Sequence, residues 1–219
     1  MEEDVHEYAG ESMDVTWDGE RCIHYRACVR GAPDVFDVDR RPWILPDGTE
    51  DADRLARVVE SCPTGALHYE RHDDGDPEAV PERNAVDVAA GGPLYVRGDV
   101  TVEDEDGEVL LTDTRLALCR CGASGNKPLC DGSHGDAGFD AAGEVPESDD
   151  ADGAWTGGGG LTVVPTPDGP LHLRGEYELR GQADGSATET GDRWLCRCGG
   201  SGDKPFCDGT HAEVGFESD

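Results

Sequence analysis

The sixteen residues CRCGASGNKPLCDGSH, from Cys119 to His134, return as CRCGGSGDKPFCDGTH, from Cys196 to His211. Because 196 − 119 and 211 − 134 are both 77, the two copies align without a gap. Each copy offers three thiols and one imidazole: Cys119, Cys121, Cys130 and His134, then Cys196, Cys198, Cys207 and His211. Three soft thiolates and an imidazole suit either zinc or an iron-sulfur cluster, so ligand count alone does not choose between them. The residues between the ligands shape a tight cradle. Gly122, Gly125 and Gly132 allow positive φ and close wrapping, Pro128 stiffens the approach to Cys130, and Asp131 is placed to cap a short helix carrying Ser133 and His134.

The full pattern is CxC, two residues, Ser, three residues, Pro, one residue, then CDG, Ser or Thr, and His. It resembles the CDGSH iron-sulfur family, of which mitoNEET-like proteins are members. Both copies match at each motif position, through Ser124, Pro128 and Ser133 and through Ser201, Pro205 and Thr210. The resemblance implies one [2Fe-2S] cluster per motif, with two Cys on one iron and one Cys plus the His on the other. It also implies that tandem motifs pair within one chain as single-motif members pair in homodimers.

Three further cysteines precede the repeats. Cys22, Cys28 and the Cys62-Pro63 pair lie among short elements: a strand through Val15 and Trp17 ending at Asp18-Gly19, a short helix over Ile23 to Val29, and a short strand Trp43-Ile44-Leu45. A helix over Asp51 to Glu60, with Leu55, Val58 and Val59 on one face, and a closing strand Ala66 to Tyr69 complete the segment. Read bare, these are three buried thiols in a helix-rich domain. The arrangement of Cys, five residues, Cys and a distant Cys-Pro, with APDVF at 32 to 36 and CPTGAL at 62 to 67, resembles the single-cluster bacterial ferredoxins, most closely their divergent mono-cluster relatives. In a regular CxxCxxC run the middle Cys would stand where Tyr25 does. Three ligands suit a [3Fe-4S] cluster; a [4Fe-4S] cluster would need Tyr25, His24, water or an outside ligand at its fourth iron.

Composition narrows the class. With 36% hydrophobic and 6% aromatic residues and 31 Gly in 219, the chain predicts small loop-rich units that metal centres would staple. The formal net charge is −31, from 49 acidic against 18 basic residues, and the only lysines, Lys127 and Lys204, fall at matching motif positions. Such a surface repels nucleic acid and anionic lipid, and it self-repels unless salt screens it, as in the composition of extreme halophiles. Nine cysteines fall into three groups of three with none left over, which argues against a disulfide framework. The acidic start MEEDVHEY and the lack of any long apolar stretch predict no signal peptide, no membrane span and a reducing cytoplasm.

The repeat is longer than its ligand loop. Gly92-Pro93-Leu94 recurs as Gly169-Pro170-Leu171, Arg97-Gly98 as Arg174-Gly175, Gly138-Phe139 as Gly215-Phe216, and Val86 and Val88 stand in register with Val163 and Pro165. Alternation in LYVRGDVTVED and LHLRGEYELRG predicts strands, with turns at Glu105-Asp106-Gly107 and Ala183-Asp184-Gly185. The expected fold is α+β. It runs from a loose N-terminus (1–11) to a ferredoxin-like domain (12–71), an acidic linker (72–82), a first repeat (83–141), a flexible acidic connector (142–159) and a second repeat (160–219). The repeats are read as two small antiparallel β units packed as a pseudo-two-fold pair, and Trp155 in the connector has no assigned role.

These readings predict an electron carrier and a monomer, with a redox partner protein or an apo cluster acceptor as its partner. His134 and His211 are expected to carry the mechanism: one ring nitrogen on iron leaves the other free for a proton, and His→Cys should lower the potential and raise acid stability. The alternatives are a cluster donor or redox and pH sensor using the labile His ligand, and a zinc-binding interaction module. No GxGxxG, P-loop, nucleophile elbow or flavin signature occurs, which predicts that the chain is not an enzyme.

Overall fold

The computed structural model describes residues 5–146 and 159–218. The chain divides into two compact units, one ending at Ala79 and the other starting at Val80. Among the described residues strand dominates, and the three α-helices, α1 (Ala27–Gly31), α2 (Ala52–Glu60) and α3 (Thr210–Glu213), are short. No helix among them is long and apolar enough to cross a membrane.

In the first unit, β1 (Val5–Tyr8), β2 (Met13–Asp18) and β3 (Leu67–Arg71) form an antiparallel sheet in that order. Met13 and Val15 alternate with polar residues and are fully buried, as a two-residue period on a one-sided sheet requires. They pack with Phe36, Ile44, Leu55 and Val59. Helix α2 starts where its cap dictates: the Asp51 carboxylate accepts the Arg54 N–H at 2.8 Å. Its buried face is Leu55, Ala56 and Val59, with Val58 only partly covered.

Four sequence expectations change here. The N-terminus, read as loose to residue 11, contains β1, paired with β2 from Val5↔Asp18 to Tyr8↔Val15. It buries almost nothing, so main-chain pairing rather than an apolar pattern places it. The helix expected over 23–29 begins at Ala27, because His24 (φ 56°) and Arg26 (φ 64°) are left-handed and cannot belong to it. Trp43 to Leu45 contributes one bridge, Phe36↔Ile44, rather than a strand. The acidic stretch after residue 71 folds back on its unit: Asp73 pairs with Arg71 at 2.6 Å, and the Glu78 carboxylate meets His68 Nδ1 at 3.0 Å.

The second unit is built from β4 (Ala85–Val88), β5 (Leu94–Glu103), β6 (Val109–Leu118), β7 (Leu161–Pro165), β8 (Leu171–Arg174), β9 (Tyr177–Gly181), β10 (Ala187–Thr190) and β11 (Arg193–Leu195). All eight join one sheet, ordered β10-β9-β4-β5-β7-β8-β11, with β6 also on β5. Leu94, Val96, Val100 and Val102 alternate inward along β5 and are at most 1% exposed. The repeats are therefore not two separate antiparallel units. Parallel pairings knit them together: Val100↔Leu161 to Val102↔Val163 between β5 and β7, and Ala85↔Glu178 to Val88↔Gly181 between β4 and β9. Shifting Thr101↔Thr162 by the repeat length gives Glu178↔Ala85, so both pairings keep one register.

The exchange happens at a bend. LHLRGEYELRG, expected as one strand, breaks into β8 and β9 around Gly175 (φ 117°), and β5 shifts register between Arg97 and Val100 beside Gly98 (φ 153°). Asn84 locks this bend from both repeats. Its Nδ2 donates to the carbonyls of Gly159 (2.9 Å) and Glu176 (3.0 Å), and its Oδ1 accepts the Asp99 N–H (3.1 Å). The connector also starts later than expected: Val145 is buried in the core, and its N–H donates to Ser186 Oγ at 3.1 Å. Trp155 lies outside the described residues.

Candidate metal centres

Each motif hangs from a strand end by the same two main-chain bonds. Cys119 N–H donates to the Pro128 carbonyl (2.9 Å) and Cys130 N–H to Ala117 (2.8 Å); Cys196 N–H donates to Pro205 (2.8 Å) and Cys207 N–H to Trp194 (2.9 Å). The motif serine braces the loop from inside: Ser124 Oγ donates to Leu129 O and Ser201 Oγ to Phe206 O, both at 2.7 Å. Asp131 does not cap a helix as expected. Its carboxylate accepts from Gly125 N–H (2.7 Å) and Ser133 N–H (2.9 Å), joining the two ends of the loop, and Asp208 does the same with Gly202 and Thr210. Burial would raise the Asp131 pKa, but hydrogen bonds from Ser133 and Gly125 hold it below the usual carboxylate value.

The ligand side chains fall into pairs. Cys119 and Cys121 Sγ are 3.7 Å apart, Cys196 and Cys198 Sγ 3.8 Å, and Cys130 Sγ lies 3.4 Å from His134 Nδ1. Two sulfurs on one tetrahedral metal with bonds of about 2.3 Å are separated by about 3.7 Å. Among the described residues, no three Cys, His, Asp or Glu side chains converge on a single ion position. In the first motif the donors thus fall into two pairs, a set that fits two metal atoms; in the second, Cys196 and Cys198 form the matching first pair. Backbone N–H groups point at the sulfurs, from Ala123 to Cys121 (3.5 Å), Gly132 to Cys130 (3.4 Å) and Gly200 to Cys198 (3.3 Å), which favours the thiolate form. The hydrogen bond from Cys121, aided by backbone N–H groups against the cost of burial, draws Cys119 down to about 6, while burial pushes Cys130 up to about 11. His211 differs from His134 in turning its Nδ1 to the Asp168 carbonyl at 2.9 Å.

The motif backbones touch. A Cβ on Gly122 (φ 81°) would lie 2.7 Å from the Cys198 carbonyl oxygen, and one on Gly199 (φ 79°) would lie 2.7 Å from that of Cys121. Gly122→Ala or Gly199→Ala should therefore cost roughly 1–3 kcal/mol and speed loss of bound metal, since backbone strain and a backbone clash coincide there. Thermal unfolding and metal-release rates check this; wild-type values for both variants would contradict the close approach.

Sequence reasoning passed over Arg120 and Arg197, between the first two cysteines of each motif. Arg120 is 1% exposed and Arg197 3%. Arg120 donates from Nε to Gly92 O (2.8 Å) and from Nη2 to the carbonyls of Ala89 and Ala142, and it stacks on Phe139 at 5.2 Å. Arg197 repeats this with Gly169 O (2.9 Å), Thr166 O and Phe216 (5.2 Å). Burial lowers both guanidinium pKa values, Arg120 to about 10. The available signal was identity in both copies of a charged residue inside a cradle. The lysines part ways: Lys127 Nζ lies 5.9 Å over the Phe216 ring, and Lys204 Nζ donates to Ser201 O.

In the first unit, Cys22, Cys28 and Cys62 line one cavity with Trp17, Tyr25, Trp43 and Thr64. Buried Arg21 ties its two loops by donating to Thr64 O at 2.9 Å. Burial pushes Cys28 up to about 11, and the Cys62 and Cys22 thiols add to the rise. Three thiols lining one aromatic cavity fit a sulfur-rich cluster. Of the two side chains considered for a fourth iron, Tyr25 lines the cavity, while His24 Nδ1 sits 3.9 Å from Cys22 Sγ.

Three cysteine-lined centres on two units define a metal-binding protein of the iron-sulfur class. Comparison with known families supports this: residues 8–72 match a family described as a divergent 4Fe-4S mono-cluster, and residues 91–135 and 168–212 match an iron-binding zinc finger of CDGSH type. The chain is 43% identical over 65 residues to the uncharacterized protein YjdI of Escherichia coli K12, covering 30% of this chain and 83% of that protein, and equally to YjdI of strain O157:H7. No solved structure matches. The chain belongs to the iron-sulfur proteins that join a divergent 4Fe-4S mono-cluster domain to tandem CDGSH repeats.

Proposed function

We propose that this protein is a soluble, non-enzymatic electron carrier of the cytoplasm, holding two [2Fe-2S] clusters in the CDGSH motifs and one [3Fe-4S] or [4Fe-4S] cluster at Cys22, Cys28 and Cys62. The observation that carries the reading is the first motif's two-by-two set, Cys119 with Cys121 at 3.7 Å and Cys130 with His134 at 3.4 Å, which suits two irons, with Cys196 and Cys198 repeating the first pair at 3.8 Å. When bound, such a cluster accepts and returns one electron. The protein supplies N–H donors to the thiolates, a largely buried first cysteine, and aromatic walls around the first-unit cavity. The equal registers of the two parallel pairings support a pseudo-two-fold pairing of the repeats within a monomer. EPR of the oxidised and dithionite-reduced protein tests the reading. A reduced [2Fe-2S] signal of two spins per chain supports it; colourless protein with stoichiometric zinc overturns it.

Cluster donation to an apo acceptor, or redox sensing, is a second reading. It is favoured by the partial exposure of His134 and His211 in motifs whose first cysteines, Cys119 and Cys196, are buried. Rapid cluster appearance in an apo acceptor, faster than spontaneous loss, would select it. Under either reading, His134→Cys replaces a neutral ligand by an anionic one. The variant should lower the reduction equilibrium constant of one [2Fe-2S] cluster at least tenfold, about 59 mV for one electron. An unchanged potential would remove His134 from the ligand set.

A further inference from the structure

We infer that Arg120 and Arg197 are potential-setting residues that act across the two repeats, each raising the reduction potential of the cluster in the opposite motif as well as its own. The inference rests on the reading that both motifs hold [2Fe-2S] clusters.

A buried guanidinium ordinarily has a carboxylate partner, because an unpaired charge is costly to desolvate. Arg120 has none. Its hydrogen bonds go to main-chain carbonyls, its face lies on Phe139, and its Nη1 has no hydrogen-bond partner among the described residues. The ionisable groups whose charge acts on it are thiols, Cys196 of the other repeat most and then Cys121. Arg197 faces Cys119 of the other repeat, then Asp168 and Cys198. This crossed arrangement follows from the contact of the two motif backbones, where Gly122 abuts Cys198 and Gly199 abuts Cys121.

The missing counter-charge is the kind a bound cluster supplies. Two ferric irons, two sulfides, three thiolates and a neutral imidazole carry one net negative charge; one electron from a low-potential donor such as dithionite makes it two. A buried cation favours the second state over the first. It does so for each centre within its Coulomb range, because the low dielectric weakens screening. The repeats are unequal in one respect: position 168 is Asp where the first repeat has Gly91, so Arg197 has a nearby carboxylate that Arg120 lacks among the described residues. Arg120 should therefore have the larger effect.

The test removes charge while keeping shape. Ligating a synthetic Cys196–Asp219 peptide to residues 1–195 gives the full chain with Arg197→citrulline, which retains the donors to Gly169 and Thr166. Arg120→Gln and Arg120→Lys complete the set. Iron and acid-labile sulfide are counted on each protein, and both reduced [2Fe-2S] signals are followed by EPR-monitored redox titration. Expected for Arg197→citrulline is a fall in the reduction equilibrium constant of both clusters, by about tenfold, or about 59 mV, in the nearer one. Arg120→Gln should exceed this, and Arg120→Lys should leave both reduction equilibrium constants within about threefold of wild type. Should Arg120→Gln bind no cluster, the citrulline protein decides. Full cluster content with neither potential moved, or with one moved alone, overturns the inference. Wild-type protein without sulfide instead overturns the cluster reading beneath it.

Discussion

Arg120→Ala should destabilise the second unit by about 3–5 kcal/mol, among the largest losses any single substitution here would cause. Truncation strands the buried Gly92 carbonyl, takes from the Ala89 carbonyl one of its two donors and from the Ala142 carbonyl its guanidinium donor, and strips the Phe139 ring of its stacking partner. Each stranded carbonyl costs about 1–3 kcal/mol, partly recovered if water enters. The three carbonyls come from separate segments, the loop between β4 and β5 and the stretch after the first motif, so the side chain holds these together. Urea unfolding of the apo protein separates this from any loss of metal. A midpoint within experimental error of wild type would show that the guanidinium is not a structural tie.

Salt should move the stability of the whole chain in the opposite sense, upward. With 49 acidic and 18 basic residues, most carboxylates lack a cation, and acids crowd surface turns such as Glu103 to Asp106. Raising salt from about 0.1 M to about 1 M shortens the screening length from about 10 Å to about 3 Å. Surface pairs such as Arg54–Asp34 (3.0 Å) and Arg174–Glu103 (2.9 Å) weaken, but each is worth no more than about 1 kcal/mol. Repulsion among the acids left over outweighs them, so the net sign is stabilising. The unfolding midpoint should rise by more than about 5 °C between these salt concentrations, equivalent to about 1 kcal/mol or more. A flat or falling midpoint would mean that the acids are spaced widely enough not to repel.

The duplicated loop was legible because a thiol spacing returns intact after 77 residues, and Cys22, Cys28 and Cys62, grouped from the sequence, line one cavity. Strands were legible wherever one face is buried, as along β5. What alternation does not encode is the partner: a period of two looks the same whether β5 pairs inside its repeat or with β7 across it. The exchange was accordingly missed. The same limit hid β1, whose residues bury no face, and the late start of α1, which is set by the left-handed His24 and Arg26 rather than by composition. Arg120 was missed because a charged residue reads as surface until carbonyls from distant segments are seen to converge on it.

Iron and acid-labile sulfide, counted per chain on anaerobically purified and folded protein, test the central claim most directly. Two [2Fe-2S] clusters predict about four iron and about four sulfide from the second unit, beyond whatever the first unit holds. Stoichiometric zinc in the repeats, with no sulfide released on acidification, would contradict it.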